Sequence, residues 1–141
     1  MPDGAGAVAL RLTGEMPGNA DGSRMRTLYY DILADGVRAG VCELRPKPTW
    51  AARLSGQAAY TVFPPYRGHR YALSALRLLC KEASRLGSNS LTVTCRPGNL
   101  ASRRTLELAG AALEGIEPVP PEHPLYSSGV REVCVYRIEW E

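Results

Sequence analysis

The longest amphipathic pattern in the chain predicts a helix over residues 72–86. Its apolar positions recur at i, i+3, i+4 and i+7 and share one stripe, which comprises Ala72, Ala75, Leu76, Leu79, Cys80, Ala83 and Leu86. Charged and polar residues fall mostly on the opposite face. Gly87 follows directly and is typical of the position just after a helix end. We therefore expect one face of this helix to pack against a sheet.

Short apolar or alternating segments on both sides of this helix predict strands. They cover residues 7–12, 28–34, 37–45, 57–63, 90–95, 111–116 and 130–140. Asp35-Gly36 between the second and third segments predicts a tight hairpin. A second helix is predicted over residues 100–109, with Asn99 as its N-cap. Residues 13–23, 46–55 and 118–128 are rich in Gly, Pro and polar residues, and they predict irregular connections.

This order of elements predicts an α/β fold. Antiparallel strands come first, and strands then alternate with the two helices. We expect a single domain with one mixed central sheet of about six to seven strands and helices on both faces. A chain of 141 residues is long enough to bury a core.

Composition and charge narrow the range of functions. A net charge of +3 favours anionic ligands only weakly and lacks the concentrated basic face of a nucleic-acid-binding protein. No segment reaches the roughly 18 apolar residues that suggest a membrane span. The first residues do not resemble a signal peptide, so we expect a cytoplasmic protein. The cysteines are widely spaced, which argues against a metal site or a disulfide framework: Cys42, Cys80, Cys95 and Cys134.

The connection between the fourth strand and the first helix predicts an anion site. Pro64-Pro65 ends the strand, and a basic turn then leads into the helix. The first N–H groups of a helix have no intrahelical partner, and the helix dipole adds partial positive charge there. Phosphate groups commonly bind at such a terminus. Gly68 permits close approach of a ligand to the backbone, between the cationic side chains of Arg67 and Arg70.

This turn resembles the acetyl-coenzyme A pyrophosphate loop of the GNAT acetyltransferase superfamily. The family pattern is Arg/Gln-x-x-Gly-x-Gly/Ala, in which Arg67 fills the first position and Ala72 the last. Arg70 replaces the middle glycine. If that position needs a positive φ, Arg70 is strained, whereas if only its amide is needed, Arg70 adds a cation for phosphate. The resemblance implies acetyl-CoA as co-substrate, bound by Val62, Phe63, Arg67, Gly68, His69, Arg70, Tyr71, Ala72, Asn99 and Ser102.

A second motif, about thirty residues further on, resembles a later motif of the same superfamily. Asn99-Leu100-Ala101-Ser102 is closest in style to the branch that acetylates ribosomal proteins and N-terminal amines. The resemblance implies a GNAT-like fold with a shortened N-terminal helical region, because residues 13–26 are too short and too rich in Gly and Pro for the usual helices. Such a shortened region leaves the acceptor site open, and a homodimer would complete its wall.

The implied reaction is direct attack of a primary amine, on a small molecule or a peptide, on the acetyl thioester. The acid position of the family is Leu106 here, and Ser102 is the candidate donor for the thiol. The frequent glutamate before the loop is Gln57 here, which does not titrate. Candidates for the base are Glu43, Tyr60 and His123, and Tyr126 is a candidate for the wall of the acceptor site. We therefore predict Ser102, Glu43 and Tyr60 as catalytic residues, with no metal.

Two other functions fit parts of the pattern. A catalytically inactive coenzyme A-binding regulatory module would explain Leu106, Gln57 and Arg70. An anion- or RNA-binding domain would instead use the arginines of the two motifs, namely Arg67, Arg70, Arg103 and Arg104. The latter predicts steep salt dependence and no preference for coenzyme A over simple phosphates.

Overall fold

The computed structural model describes residues 7–21, 24–49 and 52–140, and the chain forms seven strands and four helices in these residues. The first four strands form an antiparallel sheet in sequence order: β1 (Val8–Met16), β2 (Thr27–Ala34), β3 (Val37–Leu44) and β4 (Ala58–Val62). The hairpin predicted at Asp35-Gly36 is confirmed, since these residues have φ angles of 50° and 82°.

The predicted loop over residues 13–23 is partly wrong, because β1 continues to Met16. A bulge at Thr13 lets Gly14 pair with Tyr29 and Met16 pair with Thr27. Pairing with β2 satisfies backbone groups in a segment whose composition alone suggests a loop. In the described residues 17–21 and 24–26 no helix forms, as the sequence predicted.

The remaining strands form a second antiparallel sheet in the order β5-β7-β6. Its strands are β5 (Ser90–Cys95), β6 (Ala112–Pro118) and β7 (Glu132–Glu139). The predicted alternation along β7 is confirmed on both faces. Cys134, Tyr136 and Ile138 lie in the main core, whereas Val133 and Val135 lie in a smaller apolar cluster.

Helices lie on both faces of the second sheet, and one of them also covers one face of the first. α2 (Tyr71–Arg85) packs against both sheets through Leu73, Ala75, Leu76, Leu79 and Ala83. Each fully buried leucine of this kind contributes about 1.5–3 kcal/mol through burial. α3 (Leu100–Leu108) adds Leu106 to the same core. Two short helices occupy segments predicted as irregular, α1 (Ala52–Ser55) and α4 (Pro124–Ser127), and their Leu54 and Leu125 pack on the smaller cluster.

The α/β class and the number of strands are confirmed, but the strands form two sheets instead of one continuous sheet. Among the described residues, β4 and β5 meet where they begin: the Gln57 amide donates to the Thr92 carbonyl at 2.7 Å. Further along, the side chain of Tyr60 lies between β4 and α3, with its hydroxyl 3.4 Å from Ser102 Oγ. In the described residues no ladder joins β4 to β5. The sheets therefore diverge, and a cleft opens between them.

Candidate active site

The turn between β4 and α2 begins with a single 3-10 turn, Pro64–Tyr66, formed by the proline pair that ends the strand. Arg67 follows in an extended conformation. Its Nε donates to the carbonyl of Val62 at 3.0 Å, and its terminal nitrogens make no hydrogen bond to the described residues. Arg67 is thus anchored at the end of β4 with part of its guanidinium available to a ligand.

The last part of the turn uses left-handed backbone at two positions. Gly68 has a φ of 94°, and Arg70, the N-cap of α2, has φ 60° and ψ 30°. A residue with a side chain pays roughly 1–2 kcal/mol for this conformation, so glycine is the expected choice at both positions. The structure therefore answers the question about Arg70: its position needs a positive φ, and arginine is strained there.

The start of α2 is open to an anion. No side chain of the N-cap residue Arg70 caps the helix, and the first turn contains no acidic residue. The N–H groups of this turn therefore lack the usual side-chain partner and lie at the positive end of the helix dipole. His69 stacks on Tyr71 with 5.2 Å between ring centroids, which orders the approach to the helix.

These groups line a cleft of about 510 Å³, here called the loop cleft, between β4, the turn and α3. Eight of the ten predicted cofactor-binding residues line it: Val62, Arg67, Gly68, Arg70, Tyr71, Ala72, Asn99 and Ser102. Phe63 and His69 do not. The Phe63 ring instead lies under the guanidinium of Arg38, 5.0 Å from its centroid.

The far wall of the loop cleft is the beginning of α3. Asn99 caps this helix through its side-chain oxygen, which accepts from the Ser102 amide at 3.1 Å. This cap fixes the helix start and places Ser102 Oγ 3.4 Å from the Tyr60 hydroxyl. Burial raises the pKa of Tyr60 above its ordinary value, so its phenol stays protonated at neutral pH. Tyr60 and Ser102 form a pair of hydroxyl groups that can donate a proton or a hydrogen bond.

A second cleft of about 560 Å³, the sheet cleft, lies over β2, β3 and β4. It shares Tyr60 and Thr61 with the loop cleft. Glu43 lines it and pairs with Arg45 at 2.7 Å. Cys42 also lines it, but burial raises the pKa of this thiol to about 12, so it is protonated and is no nucleophile at neutral pH.

The base candidate His123 and the candidate for the acceptor wall, Tyr126, lie elsewhere. His123 is buried, and its Nδ1 accepts from the Leu125 amide at 3.1 Å, which caps α4. The Tyr126 ring packs under the Arg131 guanidinium at 3.6 Å. Neither residue lines the loop cleft or the sheet cleft, so the structure does not bring them to the predicted site.

A family model described as the acetyltransferase (GNAT) domain matches residues 10–112. This match extends from β1 to the first residue of β6 and includes both clefts. The chain belongs to the GNAT acetyltransferase family.

Solved structures with the same fold include several acetyltransferases. RimJ from Mycobacterium smegmatis, in complex with coenzyme A disulfide, has a TM-score of 0.64 and 21% identity, over 81% of this chain and 53% of that one. The microcin C7 self-immunity acetyltransferase MccE, in complex with acetyl-CoA and AMP, has a TM-score of 0.62 and 20% identity. The match covers 81% of this chain and 61% of MccE. YncA from Salmonella typhimurium, with acetyl-CoA, has a TM-score of 0.62 and 17% identity. The match covers 82% of this chain and 65% of YncA.

At such identities the likeness shows the fold alone. This GNAT chain also spans only 53% to 65% of the length of these three proteins. No curated protein sequence matches it.

Two residues of this GNAT chain, Leu106 and Gln57, depart from the family pattern at positions that often carry titratable groups. Leu106, at the position of the family's acid, is fully buried in the core and has no polar group to offer. Gln57, at the position of the frequent glutamate, is buried and holds structural hydrogen bonds: Nε2 donates to the carbonyls of Arg45 and Pro46, and Oε1 accepts from the Thr92 amide. Neither side chain carries a titratable group.

Sequence reasoning missed several residues of this GNAT site. Tyr66 and Thr105 line the loop cleft, and Asp31 and Arg38 line the sheet cleft. The sequence could have indicated a special role for Asp31, because it is a lone carboxylate inside the apolar segment of residues 28–34. Among the described residues no helix is long and apolar enough to cross a bilayer, and no group of three potential metal ligands occurs.

Proposed function

We propose that the protein is an acetyl-CoA-dependent N-acetyltransferase that acetylates a primary amine of a small molecule or a peptide. The observation that carries this proposal is that the loop cleft and the sheet cleft meet at Tyr60 and Thr61. One cleft has the groups to bind the cofactor, and the other is open to an acceptor. An acetyl group at the shared strand would be accessible from both.

The loop cleft fits the pyrophosphate of acetyl-CoA. The open amides at the start of α2 suit phosphate oxygens, and Gly68 leaves space beside them, since a Cβ there would meet no atom within 4 Å. Arg67 adds a guanidinium anchored at the end of β4. The cofactor would supply the activated acetyl group as a thioester, and this chain would hold it and stabilise the charge that develops.

The outer edge of β4 provides hydrogen-bond donors for the thioester oxygen. Toward β3, the Gln57 carbonyl accepts from the Arg45 amide and the Phe63 amide donates to the Ala39 carbonyl. Because backbone groups alternate along a strand, the amides of Tyr60 and Val62 point to the opposite edge. In the described residues no ladder covers that edge beyond Gln57, so these amides are available as oxyanion donors.

The chemistry is the attack of the amine nitrogen on the thioester carbonyl carbon, followed by cleavage of the carbon–sulfur bond. The nitrogen loses a proton, and the departing sulfur gains one. A free alkyl amine has a pKa near 10.4, so removing its proton at pH 7 costs on the order of 4–5 kcal/mol. Glu43, which lines the sheet cleft and pairs with Arg45, can assist this proton loss through water.

Tyr60 and Ser102 are the proposed donors to the leaving sulfur. The raised pKa of Tyr60 keeps its phenol protonated at neutral pH, so Tyr60 can donate a hydrogen bond or a proton but cannot take up a proton as a base. This changes the role that the sequence suggested for it. Ser102 contacts the same hydroxyl and lines the loop cleft. Together they replace the family's acid, whose position Leu106 occupies.

A catalytically inactive coenzyme A-binding module is the second candidate, favoured by the burial of Leu106 and Gln57. It predicts binding of acetyl-CoA without turnover of any amine. The RNA-binding alternative has less support, because Arg103 is engaged within the fold: it donates to the Tyr136 hydroxyl at 3.0 Å and to the Pro97 carbonyl at 3.3 Å. The homodimer stays a prediction.

Calorimetric titration with acetyl-CoA, coenzyme A and inorganic pyrophosphate tests the cofactor site. We expect micromolar binding of the first two ligands, about 8 kcal/mol, and much weaker binding of pyrophosphate. Release of the coenzyme A thiol in the presence of varied primary amines then tests the reaction. Absence of acetyl-CoA binding would overturn the proposal, and binding without turnover would favour the inactive module.

A double variant, Arg67→Glu with Arg70→Glu, should weaken acetyl-CoA binding more than about tenfold, because it reverses two charges beside the pyrophosphate site. The matched control is Lys81→Glu with Arg104→Glu, which makes the same change in net charge at exposed residues outside the loop cleft. Circular dichroism checks that both variants fold. Equal affinity in the two double variants would show that the pyrophosphate site is placed wrongly.

A further inference from the structure

A bulge in β3 turns Arg38 toward the sheet cleft. Gly40 pairs with Ile32, whereas Arg38 pairs with Leu33, so Ala39 is the extra residue. In a regular strand, positions 38 and 41 would face opposite sides. The extra residue shifts the alternation by one, and Arg38 joins Val41 and Glu43 on the cleft side.

The residues around the bulge hold it in place. Ala39 is fully buried, and its carbonyl accepts from the Phe63 amide at 2.8 Å. A Cβ on Gly40 would approach the Thr61 carbonyl oxygen to 2.2 Å, so only glycine fits against β4 there. The orientation of Arg38 is thus built into the pairing of β3 and β4.

The guanidinium of Arg38 is fixed at one edge and open at the other. Its Nε donates to Asp31 Oδ1 at 2.8 Å, and its plane lies over the Phe63 ring. Its two terminal nitrogens make no hydrogen bond to any described residue, and 54% of its side chain is exposed. A guanidinium held in this way presents a preorganised pair of donors to the cleft.

The local charge favours an anion at this end of the sheet cleft. Asp31 is 7% exposed, and its other oxygen accepts from Arg11 at 2.7 Å, so two cations surround one carboxylate. Toward the shared strand, Glu43 and Arg45 neutralise each other. The sheet cleft therefore has a positive end at Arg38 and no such excess near Tyr60.

We propose that Arg38 binds a carboxylate of the acceptor, so that the substrate is an amine that also carries an acid group. This inference rests on the proposed acetyltransferase function. Thr61 pairs with Val41. Because Ala39 is extra, Val41 and Arg38 lie two regular strand positions apart, opposite Asp31 and Leu33, which corresponds to roughly 7 Å along the strand. The amine and the acid are therefore separated by several bonds, as in an ω-amino acid or a dipeptide, and the arginine fork binds the carboxylate through two parallel hydrogen bonds.

Matched acceptor pairs test this inference. One pair is δ-aminovalerate and its primary amide, and the other is glycylglycine and its amide. For each compound kcat/KM is measured from the release of the coenzyme A thiol. In the unmodified protein we expect the acid of a pair to exceed its amide by about tenfold or more. In Arg38→Gln this ratio should fall to within about twofold, since the fork is gone.

Arg11→Gln is the matched control. It removes a charge from the same carboxylate, Asp31, but Arg11 does not line the sheet cleft. The preference for the acid should survive in this variant, and thermal unfolding checks that both variants fold alike. An equal or reversed preference in the unmodified protein, or a ratio that Arg38→Gln leaves intact, would overturn the inference.

Failure of this inference and failure of the proposed function are distinguishable. Turnover of amines without a preference for acids rejects the inference alone. Binding of acetyl-CoA with no turnover of any amine rejects the proposed acetyltransferase function. In that case calorimetry measures the affinity of the same acid and amide pairs for coenzyme A-saturated protein, which tests the carboxylate site at Arg38 separately. Tighter binding of the acids that is lost in Arg38→Gln supports the carboxylate site, whereas equal binding or none overturns it.

Discussion

Arg70 combines an unfavourable backbone conformation with a cationic side chain at the cofactor site. Its φ of 60° belongs to the region that glycine occupies most easily, and the GNAT pattern has glycine at this position. The side chain lines the loop cleft beside the start of α2. Backbone strain at such a place is consistent with a functional gain elsewhere, and we propose that this gain is a cation for phosphate.

Arg70→Gly should therefore stabilise the fold and weaken cofactor binding. The substitution relieves roughly 1–2 kcal/mol of backbone strain, but the added freedom of glycine in the unfolded chain costs about 0.5–1 kcal/mol. The free energy of unfolding should therefore rise by about 0.5–1 kcal/mol. Loss of one charged contact should weaken acetyl-CoA binding by about tenfold. Urea unfolding and calorimetry measure the two effects.

Arg70→Ala separates the two effects, because it removes the guanidinium and keeps a Cβ on the strained backbone. It should show the same loss of affinity without the gain in stability. If both variants are equally stable, strain at Arg70 is too small to matter. If both retain full affinity, its side chain does not contact the phosphates.

At the scale of elements, Gln57 is the junction of the two sheets. Its backbone amide and its side chain both bond to Thr92 of β5, while its Nε2 donates to two carbonyls at the end of β3. The side-chain amide supplies both the donors and the acceptor that this place requires at neutral pH. The residue that looks like a lost catalytic glutamate is therefore a structural connector.

Gln57→Glu should destabilise the protein by about 2–3 kcal/mol at pH 8, because a buried carboxylate would face two carbonyl oxygens. Burial and these oxygens would raise the pKa of the new carboxyl in the folded state above its unfolded value near 4.3. The defect should therefore shrink as the pH falls toward 5, where protonation restores a donor. Urea unfolding at both pH values measures it.

The control is Thr94→Val, which removes another side-chain hydrogen bond of β5, the bond from Thr94 Oγ1 to the carbonyl of Leu54 in α1 at 2.9 Å. Loss of this single bond should cost about 1 kcal/mol with no such pH dependence. A Gln57→Glu variant as stable as the unmodified protein and more active would instead restore the catalytic interpretation of this position.

Elements whose signal is local were predictable from the sequence, and those set by pairing were not. The α2 stripe, the Asn99 cap and the turn at Gly68 follow from periodicity and turn chemistry within a few residues. The extension of β1 to Met16 depends on a partner strand. The direction of the Arg38 side chain depends on a bulge at Ala39. One extra residue in a strand moves the side chains beyond it to the opposite face of the sheet.

At the scale of the molecule, one strand serves both clefts. β4 places Tyr60 and Thr61 in the loop cleft and in the sheet cleft, because its outer edge separates from β5 beyond Gln57. The family resemblance made Tyr60 a candidate, but its role depends on the gap between the sheets. The divergence that interrupts the predicted continuous sheet is thus the feature that creates the site.

The pH dependence of the reaction tests this arrangement. The fraction of neutral amine rises about tenfold per pH unit below its pKa near 10.4, so kcat/KM for the amine should rise with pH. Because burial raises the pKa of Tyr60, the phenol remains a donor throughout this rise, and no falling limb is expected below pH 10 or so. A falling limb well below pH 10 would contradict a protonated Tyr60 as the donor.

Tyr60→Phe should lower kcat by about tenfold to a hundredfold, since a positioned acid is lost while Ser102 remains as a second donor. The affinity for acetyl-CoA should change less than about threefold, and the rise with pH should persist. Ser102→Ala is the companion variant, and its effect should not add fully to that of Tyr60→Phe, because the two hydroxyls act as one pair at 3.4 Å. A flattened pH profile in Tyr60→Phe would identify Tyr60 as the base, and an unchanged kcat would remove it from the reaction.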